Sequence, residues 1–595
     1  MCGIFGIIIA QETNLGPLLT DVGRRLAYRG YDSAGCATIS SDGIDLRKDV
    51  GRVDDVAARL EFANMHGCRG IVQVRWATFG ELARRNAQPH LDCDGDMVGA
   101  HNGNIINNVQ MRELFVSEGH TVRGENDGET CIHAVERHFD RGCGMVEAIR
   151  RAYADLEGDY AFVITHRDDE QLYAIKKGSG LVVGIGDGFT CCSSDLHSIL
   201  PLTRRFMRVY DGEIVILRPH SVELRRVSDG MTIERAPEVF EGEVPIADKG
   251  HFSHFILKEI YEQPRAVGEL LRRVNEDATV ERFLAALRAA HSLFLVGSGS
   301  SFHACLLGSY YFSHLAGKLV IPVLPAQFIE YYAPSLGADT TVVFISQSGE
   351  TKDVINAVQV ARKKGMRMLG ITNLESSSLM SITEMNLLLH CGYEFSVAAT
   401  KTFVSECVLL LYLGQRLAGV DTSSLLRLPT LLEDTLERSE RYANDILTPL
   451  MAMNDMYYLG YGITYPIALE GALKLKELTY AHCEGILSSE FKHGPLSAVS
   501  PDYPVVFITA PRDVDMVINH INEVTCRRGI AIAVAEEDER LRKNVQAYFP
   551  LPTAGQWLNP ILATIPLQLT AYRASVQRGL DPDYPRNLSK TLTVD

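Results

Sequence analysis

Leu295-Val296-Gly297-Ser298-Gly299 is matched 163 residues later by Tyr458-Leu459-Gly460-Tyr461-Gly462. The same interval carries Val342-Val343-Phe344-Ile345-Ser346 onto Val505-Val506-Phe507-Ile508-Thr509, and Met368-Leu369-Gly370-Ile371-Thr372 onto Ala531-Ile532-Ala533-Val534-Ala535. Three apolar runs in one register are hard to obtain by chance. Each run has strand length and precedes a helical pattern, so each copy is expected to be a β-α-β-α-β unit on a parallel sheet. Ligands of such sheets sit at the carboxyl ends of the strands. Chemistry is therefore sought just after each run.

After the second run of the first copy stands Ser346-Gln347-Ser348-Gly349-Glu350-Thr351. Hydroxyls and a glycine at a helix N-terminus make an anion cradle, because backbone N–H groups and the helix dipole point at the ligand. Ser300 and Ser301 follow the first run and would reach the same phosphate. The competing reading is an ordinary serine N-cap. The second copy has Thr509-Ala510-Pro511-Arg512 there instead, so the copies are not equivalent. It carries Glu470, Lys474 and Glu477, spaced to share one helix face behind the Gly460-x-Gly462 turn. Such a trio is either a solvated ion-paired face or a catalytic set, and the turn favours the second. His493, before Gly494-Pro495, is suited to proton transfer or merely structural. Lys590, in a C-terminal tail of few charges, would close over a site and form a Schiff base with a carbonyl.

The chain opens Met1-Cys2-Gly3-Ile4-Phe5-Gly6-Ile7. With Met1 removed, Cys2 carries a thiol (pKa roughly 8.5) and an α-amine (pKa roughly 7.7–8.0), so nucleophile and base share one residue. The alternative is a merely buried cysteine. Residues 2–220 read as strand-rich α+β, with strands at 70–74, 160–164 and 212–216 and helices around Leu18–Leu26 and Gly128–Phe139. A polar stretch with Pro237 and Pro245 reads as a linker over 221–250. The repeat then divides into 251–424 and 425–582, with 583–595 as the closing tail.

At 595 residues the chain is too long for one core. A net charge of -16 argues against nucleic acid as partner, since phosphate binding needs a basic surface. No uninterrupted apolar run of ~18 residues and no signal-peptide pattern is found, so a cytoplasmic chain is expected. The thirteen cysteines include no C-x-x-C pair and no Cys/His cluster with zinc spacing. No metal, cofactor or disulfide is expected.

Taken together, Cys2-Gly3-Ile4, Arg24-Arg25-Leu26, Tyr28-Arg29-Gly30-Tyr31-Asp32-Ser33-Ala34-Gly35, Arg75-Trp76-Ala77-Thr78, His101-Asn102-Gly103, Ser346 to Thr351, Tyr465 to Glu477, Lys492-His493-Gly494-Pro495 and the Lys590 tail resemble the glucosamine-6-phosphate synthase family over nearly the whole chain. The resemblance implies an αββα N-terminal-nucleophile glutaminase followed by two α/β sugar isomerase domains. It implies that glutamine and fructose 6-phosphate become glutamate and glucosamine 6-phosphate, the first step of hexosamine biosynthesis, with ammonia crossing an internal channel.

By the same resemblance Cys2 attacks the glutamine amide and Asn102 and Gly103 stabilise the oxyanion. Arg75, Trp76, Thr78 and Asp127 bind glutamine, with Arg75 on the α-carboxylate, Asp127 on the α-ammonium and Trp76 gating the channel. Ser300, Ser301, Ser346, Gln347, Ser348, Thr351, Val397 and Glu470 bind the sugar phosphate. Lys590 forms the Schiff base, Glu477 moves the C2–C1 proton, and Lys474 and His493 assist ring opening. The histidine comes from a neighbouring copy in the family, which implies a homodimer. Gln73, Phe79 and Gln88 replace family histidines, which bears on glutamine affinity and loop closure. Ala399 and Ser589 also depart from common family residues near the sugar. The alternatives are a paralogue that aminates or deglycates another sugar phosphate, and a non-catalytic sugar-phosphate sensor.

Overall fold

The computed structural model describes residues 2–242, 248–375, 377–451 and 453–590. The chain forms two compact units, one of residues 1–247 with 589–595 and one of residues 248–588.

In the first unit the period-two alternation of the opening strand Gly3–Asn14 decides the layering. Ile4 and Ile8 point into a core shared with Val98, Ala100, Ala161 and Val163 of a second sheet. Phe5 and Ile7 point the other way, onto Leu19, Val22, Leu26, Val53 and Val56 of two helices. The second sheet repeats the pattern: Phe162 and Ile164 face Ile132, Val135 and Ile149 of the helices beyond. The result is an αββα sandwich of an eight-stranded and a seven-stranded sheet. The expected strands lie within His66–Arg75 and Gly158–His166 and, from Glu213 onward, within Glu213–Arg218, and the expected helices lie within Gly16–Leu26 and Asp127–Phe139.

Strand pairing runs past residue 220, into the expected linker. Ser221–Arg226 pairs with Glu213–Arg218, and Val239 pairs with Arg205. Short polar strands at a sheet edge lack the apolar alternation that reveals a strand in sequence. Residues 243–247 of that stretch, with Pro245, lie outside the described residues.

The second unit holds two five-stranded parallel sheets with the same strand order. One runs Ile321–Val323, Ser292–Val296, Thr340–Ile345, Arg367–Thr372, Met385–Leu388. The other runs His482–Leu487, Asp455–Gly460, Pro504–Thr509, Ile530–Glu536, Ala547–Leu551. The three runs of the sequence repeat occupy corresponding places in both. The apolar stretch after Thr402 is the helix Lys401–Ala418, packed in the same core as Leu295, Ile467 and Ile565. Among the described residues no helix is long and apolar enough to cross a membrane.

Candidate active sites

Cys2 precedes the first strand of the first unit, where Gly3 pairs with Val74. Its thiol is buried and lies 3.6 Å from the Trp76 carbonyl oxygen. Burial holds the thiol above its usual pKa, and the Trp76 carbonyl contact and the Arg75 guanidinium offset this only in part. Arg29, within the Tyr28–Gly35 motif, donates to the Cys2 carbonyl oxygen at 3.1 Å, a positioning contact that the motif does not itself reveal.

Arg75 ends the adjacent strand and is 1% exposed. One of its terminal nitrogens donates to the carbonyls of Phe79 and Gly80, while Nε and Nη1 have no hydrogen-bond partner. Buried N–H groups are rarely left unpaired, because desolvation without a bond costs about 1–3 kcal/mol. Each bare N–H of the guanidinium is free for a charge-assisted hydrogen bond to an anion such as a carboxylate. Asn102 is also buried with both amide atoms unpartnered.

Gly103 has φ +125°, and a Cβ there would stand 2.1 Å from the Asp159 carbonyl oxygen. Only glycine fits beside Asn102 at that point. Asp127 opens its helix, where the macrodipole favours an anion, and accepts from Ile105 N at 3.1 Å. Burial lowers the Arg75 pKa, and the nearby Asp127 carboxylate offsets part of that. Trp76 is half-buried and Thr78 exposed.

The three replaced histidines have distinct surroundings. Gln88 accepts from His101 N at 2.6 Å and donates to His101 O at 3.0 Å, clamping the strand that presents Asn102. Phe79 acts through its backbone, as the carbonyl that holds Arg75. Gln73 is fully buried with its amide unpartnered. Lys590, grouped with this unit, donates its backbone N–H to Tyr28 O at 3.4 Å. Residues 591–595 of the expected closing tail lie outside the described residues.

In the second unit the helix Ser300–Ala316 follows the Gly297-Ser298-Gly299 turn. Its serines are occupied by carboxylates: Ser300 Oγ donates to Glu470 at 2.9 Å and Ser301 Oγ to Glu406 at 2.9 Å. The hydroxyl run Ser346–Thr351 lies between the strand Thr340–Ile345 and the helix Lys352–Lys363. Ser346 and Thr351 hydroxyls are 2.9 Å apart, Ser346 Oγ accepts from Gly349 N, and Ser348 Oγ accepts from Glu350 N. Gly349 has φ +64° and lies under Ser377, where a Cβ would come 2.3 Å from its hydroxyl. Gln347 is half-buried, and its carbonyl accepts from Asn373 N and Thr372 Oγ1.

Glu470, Lys474 and Glu477 share one face of the helix Tyr465–Thr479, with Glu470 and Lys474 buried and Glu477 partly exposed. Lys474 Nζ lies 2.6 Å from Glu477 and 3.5 Å from Glu470. Burial alone would lower the Lys474 pKa, but Glu477 and Glu470 outweigh it and raise it. Burial likewise opposes ionisation of Glu470, yet Lys474 and His303 hold its pKa below the usual carboxylate value. His303, 2.8 Å from Glu470, belongs to no motif in the sequence, although it stands one turn after Ser300. Val397 is buried and donates its N–H to Asp583 O at 3.1 Å. His493 is exposed on the turn Phe491–His493.

A glutamine amidotransferase domain model matches residues 74–200, and a SIS domain model matches 286–415 and 450–578. Among curated proteins, the glutamine–fructose-6-phosphate aminotransferase [isomerizing] of Methanothermobacter thermautotrophicus is 38% identical over 609 aligned residues, covering 100% of both chains. The protein of the same name from Thermococcus kodakarensis is 36% identical with the same full coverage. Among solved structures, the C-terminal domain of glucosamine-fructose-6-phosphate aminotransferase from Francisella tularensis covers 57% of this chain and 100% of its own, at 27% identity and a TM-score of 0.52. Tagatose-6-phosphate ketose/aldose isomerase from Escherichia coli, at 19% identity and a TM-score of 0.51, shares the fold of the second unit and covers 56% of this chain and 97% of its own. With a full-length relative at 38% identity and both domain types in the expected order, the chain belongs to the glutamine–fructose-6-phosphate aminotransferase (isomerizing) family.

Proposed function

We propose that this enzyme transfers the amide nitrogen of glutamine to fructose 6-phosphate, giving glutamate and glucosamine 6-phosphate. The observation that carries this reading is the set around Cys2: a buried thiol next to a guanidinium with two bare N–H groups. That set is complementary to an α-amino acid whose side chain ends in an acyl group. Cys2 attacks the side-chain amide, its own α-amine takes the thiol proton, and ammonia leaves. Water then releases glutamate from the thioester. Asn102 and Gly103 serve the oxyanion, a term of ~2.7–4 kcal/mol per donor. Arg75 pairs with the α-carboxylate and Asp127 with the α-ammonium.

In the sugar unit the hydroxyls of Ser346, Ser348 and Thr351 hold the phosphate, with Gln347, Ser300, Ser301 and Val397 bordering the sugar. Lys590 forms the Schiff base with the ketose. Glu477 moves a proton from C1 to C2, and Lys474 orients that carboxylate while Glu470 anchors Lys474. The exposed His493 suits action on a neighbouring copy, so we place the enzyme as a homodimer. The thirteen free cysteines fit a reducing cytoplasm.

A coupled assay for glutamate and glucosamine 6-phosphate, run beside other ketose phosphates, tests the reading. Equal or better turnover of a different ketose would replace fructose 6-phosphate as substrate. Borohydride trapping with fructose 6-phosphate should label the C-terminal peptide, and trapping retained in Lys590→Ala would move the Schiff base elsewhere.

A further inference from the structure

Four metal-ligating side chains converge in the first unit, and none belongs to the glutamine set. Cys93 lies in the turn after the strand His90–Leu91, and His120 follows the helix Asn108–Ser117. His133 and Glu136 stand one turn apart on the helix Asp127–Phe139. One donor atom from each of the four lies within 4.8 Å of all the others. Cys93 Sγ is 3.5 Å from His120 Nδ1 and 4.0 Å from His133 Nδ1. Glu136 Oε2 is 2.9 Å from His120 Nδ1 and 2.6 Å from His133 Nδ1. The sequence spacing excluded a zinc cluster because the four residues come from three separate elements.

We propose that Cys93, His120, His133 and Glu136 form a structural zinc site. A tetrahedral zinc with ordinary bond lengths places its donors about 3.3–3.7 Å apart. The separations above bracket that range. The two short ones are hydrogen bonds to Glu136, whose carboxylate needs to withdraw by only about half an ångström to admit the ion. The ion replaces the thiol proton and the protons shared between the imidazoles and Glu136. One thiolate and one carboxylate then balance its double charge.

The surroundings are those of a ligand set. Thr121 N–H donates to Cys93 Sγ at 3.1 Å, supporting a thiolate. The Arg123 guanidinium binds the carbonyls of Asp92 and Cys93, bringing positive charge beside it. His133 Nε2 faces Glu129 Oε1 at 3.7 Å, and backbone N–H groups of Arg123 and Gly124 fix that carboxylate. A carboxylate behind a ligating histidine orients the ring and raises its basicity.

Sulfur and imidazole donors favour zinc over magnesium or calcium. Four protein donors leave no position for a substrate, so the site is structural. It would tie the Cys93 turn and the His120 segment to the helix whose first residue is Asp127, and so hold the glutamine-binding end in place.

Elemental analysis of the full, untagged chain, purified without chelator, should find about one zinc per chain. Cys93→Ser and His120→Ala should each lower this by roughly tenfold or more. Both residues are only partly buried, so folding can be checked by circular dichroism and oligomeric state. Cobalt added to the chelated protein should produce a thiolate-to-metal absorption band that Cys93→Ser lacks. The chelated protein should melt at lower temperature and recover with zinc. Absence of bound metal together with absence of the cobalt band would overturn the proposal. So would zinc retained in both variants, or stoichiometric iron or copper in its place.

Discussion

Lys474 Nζ lies 2.6 Å from Glu477 Oε2, and the lysine is 1% exposed whereas the glutamate side chain is 19% exposed. The ammonium is thus sealed in, and the carboxylate it holds is the member of the pair that a ligand can reach. A buried cation at this distance orients the accessible carboxylate, as proton transfer requires.

Glu477→Gln should therefore lower synthesis by about 10²–10⁴-fold, the usual size of a general-base contribution. Binding of fructose 6-phosphate and hydrolysis of glutamine should persist. Product assays and sugar titration on one preparation separate these effects. Unchanged synthesis would remove Glu477 from the proton transfer. Lys474→Met should instead destabilise the unit, by about 3–5 kcal/mol, because it strands two carboxylates.

Arg75→Ala should raise the KM for glutamine by about tenfold to a hundredfold, since a charge-assisted hydrogen bond contributes about 1.5–3 kcal/mol. A glutamine analogue lacking the α-carboxylate should be turned over equally by both proteins. A further loss with that analogue would mean that Arg75 acts on Cys2 rather than on the carboxylate.

Gln88→Leu removes both hydrogen bonds to the His101 backbone and leaves a buried N–H and C=O unpaired. The cost should be about 2–6 kcal/mol, at about 1–3 per group. Denaturant unfolding measures it. Glutamine hydrolysis should fall as well, because the strand carrying Asn102 loses its clamp. Wild-type stability in this variant would show that solvent or a neighbour satisfies both groups.

Acid should weaken the sugar unit through Glu470. Its folded pKa lies below the ordinary 4.5, so its contribution is fully present above that value and is lost as the pH falls through the folded pKa. In Glu470→Gln the stability of this unit should fall less steeply below pH 4.5. Parallel pH–stability curves for the two proteins would exclude the linkage.

Local pattern and residue chemistry were enough for much of this protein. The shift between Gly297 and Gly460 implied two matching sheets, whereas the packing of Ile4 and Ile8 on one side and Phe5 and Ile7 on the other is visible only in the structure. Cys2 and the Ser346–Thr351 run stand out in sequence because each motif is contiguous, and Arg75 stands out through the family resemblance. Tertiary structure alone decided how distant groups are spent. Ser300 and Ser301 read as phosphate donors, yet their hydroxyls meet Glu470 and Glu406, residues more than a hundred positions away. Gln88 reads as a lost histidine, yet it is a backbone clamp. Cys93, His120, His133 and Glu136 show no metal spacing, yet they share one small volume. Periodicity records which face of one element is apolar. Hydrogen-bond partners and convergent donors depend on where different elements meet, and no single stretch of chain encodes that.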